Sequence, residues 1–484
     1  MKILMLNPPF LPKYSRFSRS PAVTKSGTIY YPIWHAYATG VLEKEGFEVR
    51  LVDAPADGLT GADCCTVAKE FAPGMIVLYT STPSIYDDVE TAAALKAVAP
   101  GAFIVLTGPH VTAMPEESLA LNEKVDAVAR GEYDATLVEL ARRLAQGRPV
   151  DDVEGVTIRA CGGVRSNPDR RFIEDLDSIP FVSEVYKRHL TIENYFYAHC
   201  RFPVVSIFTS RGCNAQCSFC VYPEQMFGRR QRQRSPANIV AEFEYIEKEL
   251  PQVKEVLIDD DTFSFREAHT AAFCELMIEK GIRLPWTVEC RATLSYETMK
   301  AMKRAGCRLI VVGFESADDT VLRNMKKGLT VDRMRRFVKD ARRAGVMIHA
   351  CFMAGNIGET RETLEKSLDF ALKINADTCQ FFPLMVYPGT GVYDWARENG
   401  YLTTTDFRKW LTGDGMHHCV VSTPELSARD LVEFCDHARR KYYLAPRYLG
   451  MKLWRVIRRP GEMKKTIKSA RTFSRYLLKS GNYR

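Results

Sequence analysis

The sequence predicts an α/β protein: an N-terminal Rossmann-like (flavodoxin-like) parallel sheet, then a partial (βα)6 TIM-type barrel, then a helical C-terminal extension. Three observations predict it. Short β-rich apolar runs alternate with helical patterns through residues 1–150. The alternation recurs six times between 201 and 395, and each strand there ends in a polar or glycine-rich loop. Beyond 395 the pattern is helical and increasingly basic. The expected divisions are 1–150 for the first domain, 151–200 for a connector, 201–395 for the barrel and 396–484 for a helical region with a basic amphipathic tail.

In the first domain, strands are expected over 3–7, 48–53, 75–80, 103–107 and 125–130, with a helix over 33–44. Their carboxyl ends run into Asn7-Pro8-Pro9, Ser81-Thr82-Pro83-Ser84, Gly108-Pro109-His110 and Gly131-Glu132. Open α/β sheets bind ligands at that edge. No G-x-G-x-x-G follows the first strand, which excludes the usual dinucleotide fingerprint. A domain that only packs on its neighbour is the alternative.

The connector crosses at Asp175-Leu176-Asp177-Ser178-Ile179-Pro180. Barrel strands are expected over 204–208, 255–259, 286–290, 308–313, 347–353 and 378–385. In such folds chemistry sits on the loops at the carboxyl ends of strands. Those loops hold the cysteine run Cys213–Cys220, then Asp259-Asp260-Asp261-Thr262, then Glu289 and Arg291. Gly313-Phe314-Glu315-Ser316, Gly355-Asn356-Ile357-Gly358-Glu359-Thr360 and Tyr387-Pro388-Gly389-Thr390 follow. Cys213, Cys217 and Cys220 are spaced C-x3-C-x2-C, with Phe219 before the last. Three such thiolates can hold three corners of an iron–sulfur cube and leave the fourth iron open to a small molecule. A structural zinc site usually needs a second C-x2-C, and the chain has none, although His199 and Cys200 could complete one. The 14 cysteines otherwise sit mostly singly in apolar runs, and Pro8-Pro9 cuts short the apolar start before a secretory pattern develops. A reducing cytoplasm is expected.

On these motifs the chain resembles radical S-adenosylmethionine (SAM) enzymes that carry an N-terminal cobalamin-binding-type domain. The likeness covers roughly residues 1–440, and C-x3-C-x-Φ-C is its most diagnostic part. It implies a [4Fe–4S] cluster on Cys213, Cys217 and Cys220, with SAM chelating the open iron. Phe219, Asp260, Arg291, Glu315 and Gly355 are the implied SAM contacts; Pro8, Ser81, Gly108 and Gly131 are the implied cobalamin contacts. No further catalytic residue is assigned. The cobalt-ligating D-x-H-x-x-G is missing, so a cobalamin here is expected to lack a histidine on its lower face; His35 and His110 are read as structural. The chemistry implied is one-electron cleavage of SAM to methionine and a 5′-deoxyadenosyl radical, for methylation or carbon-skeleton change. A flavodoxin or ferredoxin is the implied electron donor.

Charge sets the tail apart. Of 67 Lys/Arg and 59 Asp/Glu, 15 basic residues and one acid lie in the last 46 positions, so the body is near −6 and the tail near +14. Apolar positions alternate with basic ones from Arg447 to Arg475, broken at Pro460-Gly461. That pattern suits an anionic membrane surface. Nucleic acid ranks behind it, as does a helix docked on the acidic body. The expectation is a cytoplasmic protein in peripheral contact with the membrane and no nucleic-acid partner. With the tail included, the pattern is similar to radical SAM proteins of hopanoid and other lipid biosynthesis, which implies a lipid or lipid-linked substrate. Two alternatives remain at this level: radical SAM methylthiolation or other modification of RNA or protein, and a zinc-stabilised binding module. His417-His418 lies in a stretch read first as a solvated loop over the barrel mouth. Arg229–Arg234 reads as a solvated loop or a guide for an anionic partner.

Overall fold

A computed structural model describes residues 1–160 and 163–458. The first sheet contains β1 (Lys2–Asn7), β2 (Glu48–Asp53), β3 (Met75–Tyr79), β4 (Phe103–Thr107) and β5 (Ala127–Ala129), parallel in the order 2-1-3-4-5. Ile3, Leu4 and Met5, and all of β3, are buried because helices cover both faces; this is why they read as unbroken apolar runs. The sheet does not stop at residue 150. β6 (Val156–Ala160) and β7 (Gly163–Ser166) extend it as antiparallel strands inside the stretch read as connector. β7 is exposed along its length, as an edge strand made of Gly, Val, Arg and Ser can be.

The second sheet is fully parallel and open. β8 (Val204–Ile207), β9 (Glu255–Ile258), β10 (Trp286–Cys290), β11 (Cys307–Glu315), β12 (Met347–Ala354) and β13 (Thr378–Pro383) neighbour one another in chain order. All six expected strands are present. β11 runs two residues further than the sequence suggested, through a register shift between Gly313 and Glu315.

The domains meet across a buried interface. Trp34, on the helix Ile33–Lys44, packs on Phe208 and Phe227 at ring distances of 4.3 Å each. Arg211 spans the joint, donating to Glu132 at 2.6 Å and Asp134 at 2.7 Å with all three side chains nearly inaccessible. Arg232 adds a bond to Glu132 at 2.8 Å. Breaking one member of such a set strands an uncompensated charge, at a cost of about 3–5 kcal/mol.

Between β1 and the first helix the chain runs without regular structure across the barrel mouth. Tyr222 donates to the Phe17 carbonyl at 2.6 Å, and Phe17 stacks on Tyr79 at 3.8 Å. At the other end of the chain, the helix Ala428–Tyr443 starts at Ser427 with a capping box to Asp430 and seats Leu431 and Cys435 in the core. The expected break at Pro460-Gly461 and the second basic segment lie outside the described residues.

Candidate active site

The cysteine loop is pinned at both ends. Ser210–Arg211 pairs antiparallel with Arg232–Gln233, closing the intervening residues into one loop. Asp260 accepts four hydrogen bonds, from the Thr209 and Ser210 amides at 2.6 and 3.2 Å and their hydroxyls at 2.6 and 2.7 Å. Both its oxygens are spent, so the structure makes Asp260 the clamp of the loop, where the sequence had suggested a SAM contact. Burial, outweighing those bonds, pushes its carboxyl up to about 6. Gly212 sits at φ +83°, and a Cβ there would lie 2.5 Å from the Arg230 carbonyl and 2.9 Å from that of Phe227, so only glycine fits.

Cys213 and Cys217 are buried; Cys220 is partly exposed. Burial raises the Cys213 and Cys220 thiols, while Arg291 at the first and Arg19 at the second pull the other way. Arg291 Nη1 approaches Cys217 Sγ at 3.4 Å, and its Nη2 donates to the Lys327 carbonyl. Arg229 ties the carbonyls of Ala215 and Cys217. Among the described residues no three His, Cys, Asp or Glu converge closely enough for a single ion. A four-iron cube instead takes each thiolate on a separate iron, and three unpaired thiols on one cation-fenced loop fit that demand.

Beside the loop, Glu315 stands at the end of β11 with φ +65°, an uncommon conformation for a side-chain-bearing residue. Its Oε1 accepts from Lys327 Nζ at 2.8 Å, and Lys327 lies 5.5 Å from the centre of the Phe219 ring. A Cβ at Gly313 would collide with Glu315 Oε1, so that glycine makes room for the pair. Lys327 stays protonated despite burial because Glu315 and Cys217 hold it up. Glu315 Oε2 is buried with no partner. An unsatisfied buried carboxylate oxygen is costly, and a ligand hydroxyl or ammonium would satisfy it. Arg291 thus touches Cys217, and Lys327 joins Glu315 to the Phe219 ring beside the cysteine loop. The sequence signal for Lys327 was faint: a lysine ahead of Gly328 in a polar turn.

Gly355 is used differently from the expectation. Its φ is +101°, and a Cβ would lie 2.6 Å from Leu431 Cδ1. Its backbone makes room for the C-terminal helix. Glu359 folds the loop, accepting from the Gly355 and Asn356 amides at 2.7 and 3.0 Å. Burial pushes the Glu359 carboxyl up to about 7, and its Oε1 has no partner.

Three features escaped the sequence reading. Arg19, from the irregular N-terminal segment, reaches the barrel rim and donates to Asp259 at 2.7 Å, lies 3.4 Å from Asp261 and pairs with Glu289 at 3.1 Å. Ser20 Oγ bridges Tyr387 OH at 3.0 Å and His417 Nε2 at 2.9 Å, so His417 turns inward while His418 is exposed. Arg232 and Arg234 are buried in pairs with Glu132 and Glu242, which removes them from any basic guide surface.

At the carboxyl edge of the first sheet, Arg16 is fully buried. It donates to Asn7 at 2.5 Å, the Pro8 carbonyl at 2.6 Å and Asp88 at 2.7 Å. Ser81 shares hydroxyl bonds with Tyr14 and Ser84 at 2.9 and 2.7 Å. A Cβ on Gly108 would lie 2.6 Å from the Thr80 carbonyl, so this turn closes on its neighbour. Gly131, at φ +63°, donates to Thr112 at 3.0 Å. Burial lowers His35 and His110 to about 3, keeping both neutral. His110 lies edge-on to Phe407 at 4.9 Å, so the turn Phe407–Trp410 covers this edge. The buried Trp410 Nε1 has no partner there.

A loop of three buried or half-buried cysteines on the rim of an open parallel barrel, beneath the carboxyl edge of a Rossmann-like sheet, defines a radical SAM enzyme. The pattern of the Radical SAM superfamily matches residues 207–371, and that of the B12 binding domain matches residues 19–141. The chain is 31% identical over 450 residues to an uncharacterized methyltransferase of Pyrococcus horikoshii, covering 93% of this chain and 94% of that one. It is 28% identical over 376 residues to the anaerobic magnesium-protoporphyrin IX monomethyl ester cyclase of Cereibacter sphaeroides (76% and 60% covered). To the hopanoid C-3 methylase of Methylococcus capsulatus it is 26% identical over 392 residues (79% and 70% covered). Among solved structures, the radical SAM methyltransferase TsrM from Kitasatospora setae superposes with a TM-score of 0.65 at 21% identity, over 84% of this chain and 77% of that one, and shares the fold. The chain belongs to the cobalamin-dependent radical SAM methylase family, and its cofactors are a [4Fe–4S] cluster, SAM and cobalamin.

Proposed function

We propose that the enzyme methylates, or otherwise alters the carbon skeleton of, a lipid or lipid-linked substrate. When bound, the cluster and SAM supply a carbon-centred radical able to take hydrogen from an unactivated carbon, and cobalamin supplies a methyl carrier. In this reading Cys213, Cys217 and Cys220 hold the cluster, and Arg291 steadies the Cys217 sulfur. Glu315 Oε2 accepts from the SAM ribose or amino group while Lys327 fixes Oε1. Arg19 offsets part of the charge of Asp259 and Asp261 at the rim, while burial pushes the neighbouring Glu289 carboxyl up to about 8. The Ser20–Tyr387–His417 chain is neutral, because burial lowers His417 to about 4, and offers hydrogen bonds to an uncharged oxygen of the substrate. Pro8, Ser81, Gly108 and Gly131 border the cobalamin side, with Trp410 Nε1 as an added donor.

The observation that carries the reading is the partnerless Glu315 Oε2 beside the three-cysteine loop, under the B12-type edge. The lipid assignment is supported by the hopanoid methylase among the relatives. Cys64 and Cys65 are adjacent on the helix Gly61–Phe71 and point about 100° apart, which does not favour a second cluster for methylthiolation. A flavodoxin or ferredoxin is the reductant in this reading. The test is to supply SAM carrying a deuterated methyl group to reconstituted enzyme with lipid extracts from its host. A lipid that gains the label, or a changed carbon skeleton, supports the proposal. SAM cleavage with no lipid changed by any extract would sink it.

A further inference from the structure

The helix Pro446–Arg458 is anchored by one face and exposes large apolar side chains on the other. On the anchored side Tyr448 is 7% exposed, packs on Tyr442 and Tyr443, and donates to the Asp377 carbonyl at 3.4 Å. Arg447 caps the Lys373 carbonyl at 3.1 Å, and Met451 Sδ accepts from Asn375 at 3.7 Å. On the outer side stand Leu449, Leu453, Trp454 and Ile457, exposed by 51, 64, 53 and 69%. With Leu444 at 57%, they are the five most exposed large apolar residues among those described. Their spacing of four, with Trp454 alongside, makes one stripe along a helix about 20 Å long. Scattered exposed leucines are ordinary; a continuous stripe marks a contact surface.

Charge identifies the contact. The stripe lies within the 46 residues that carry 15 Lys/Arg and one acid. A second copy of this face would bring like charges together, and the opposite side of the helix is already taken up by its contacts with Lys373, Asn375 and Asp377. An anionic bilayer satisfies both features at once: acyl boundary for the stripe, headgroups for the cations. Among the described residues no helix is long and apolar enough to cross a membrane, so the contact is along the surface.

We propose that the Leu449–Leu453–Trp454–Ile457 face docks the protein on an anionic membrane surface. The helix sits against Lys373, Asn375 and Asp377, just before the start of β13, whereas the cysteines lie at carboxyl ends of the barrel strands. A six-residue strand spans about 20 Å, so the docking face and the reaction site occupy opposite ends of the barrel. The face anchors the enzyme and does not itself deliver substrate, and its assignment does not depend on what the site transforms.

The test is cosedimentation of the full chain with vesicles of phosphatidylcholine alone and of phosphatidylcholine mixed with phosphatidylglycerol. The wild type is expected to bind the mixed vesicles at least about tenfold better, and less as salt rises. The variant Leu453→Ser/Trp454→Ser/Ile457→Ser should lose that binding and keep its melting temperature, because these side chains are mostly exposed. A Trp454→Phe protein should keep binding and lose the tryptophan quenching produced by brominated lipids. Equal sedimentation of triple variant and wild type, equal binding to both vesicle types, or a self-association abolished by the variant without any vesicle binding would each overturn the proposal. Binding to RNA with no binding to vesicles would do the same.

Discussion

Arg19 donates to Asp259 at 2.7 Å across 240 positions of sequence, joining the approach to the first helix to the second strand end of the barrel. The same guanidinium reaches Asp261 and Glu289. Arg19→Ala should leave Asp259 and Asp261 facing each other, beside a Glu289 whose carboxyl burial pushes up to about 8. We expect a stability loss of about 2 kcal/mol, below the full buried-pair cost because the arginine side chain is 27% accessible. Urea unfolding would measure it. Arg19→Ala combined with Asp259→Asn should recover part of the loss, and no recovery would mean that Asp259 does not contribute to the repulsion.

The pair Lys327–Glu315 should act as a unit in SAM binding. Glu315→Gln removes the negative acceptor and should weaken SAM binding roughly 10–100-fold, the worth of one charge-assisted hydrogen bond. Lys327→Met leaves Glu315 buried and uncompensated, so it should destabilise the fold more than the double variant does. Calorimetric titration with SAM on cluster-loaded protein, alongside melting curves, separates the two effects.

Gly355 and Leu431 predict a suppressor. Gly355→Ala places a methyl 2.6 Å from Leu431 Cδ1 and should cost about 2–4 kcal/mol. Leu431→Ala should relieve the clash, yet the φ of +101° leaves residual strain. Full recovery in the double variant would show that backbone conformation contributes nothing there.

Glu359 predicts a pH effect. Burial lifts its carboxyl to about 7 from 4.5, so the native protein holds a proton that the unfolded chain releases. Stability from this group is therefore greatest below about pH 4.5 and is lost as pH rises toward 7. Glu359→Gln should flatten the profile by on the order of 2–3 kcal/mol between pH 5 and about 8. Denaturant midpoints of parent and variant across that range give the difference directly. Asp53, lifted to about 7 by its own burial, titrates in the same direction in both proteins and cancels.

Cys217→Ala should lose the full iron complement and SAM cleavage together. Anaerobic reconstitution should give about four irons per chain for the wild type. Retention of both properties by the variant would remove Cys217 from the ligand set.

What could be read from the chain follows the range of the interactions. Strand periodicity and the cysteine spacing are local, so β1–β5, β8–β13 and the cluster loop were legible. The β6–β7 pair was not, because a polar edge strand such as Gly163–Ser166 has no apolar alternation to betray it. Three consecutive aspartates look alike in sequence; only the turn after β9 decides that Asp260 faces Thr209 and Ser210 while Asp259 and Asp261 face Arg19. His417 and His418 differ only by the bridge that pairs Leu411 with His417. Arg19 and Ser20 left no signal, since these partners are at least 240 residues away.

The Arg211 joint bears on turnover. Glu132, Asp134 and Arg232 close around it with almost no solvent access. Halves fastened this way do not swing apart on each cycle, so the span between the two cofactor compartments is a fixed dimension of the enzyme.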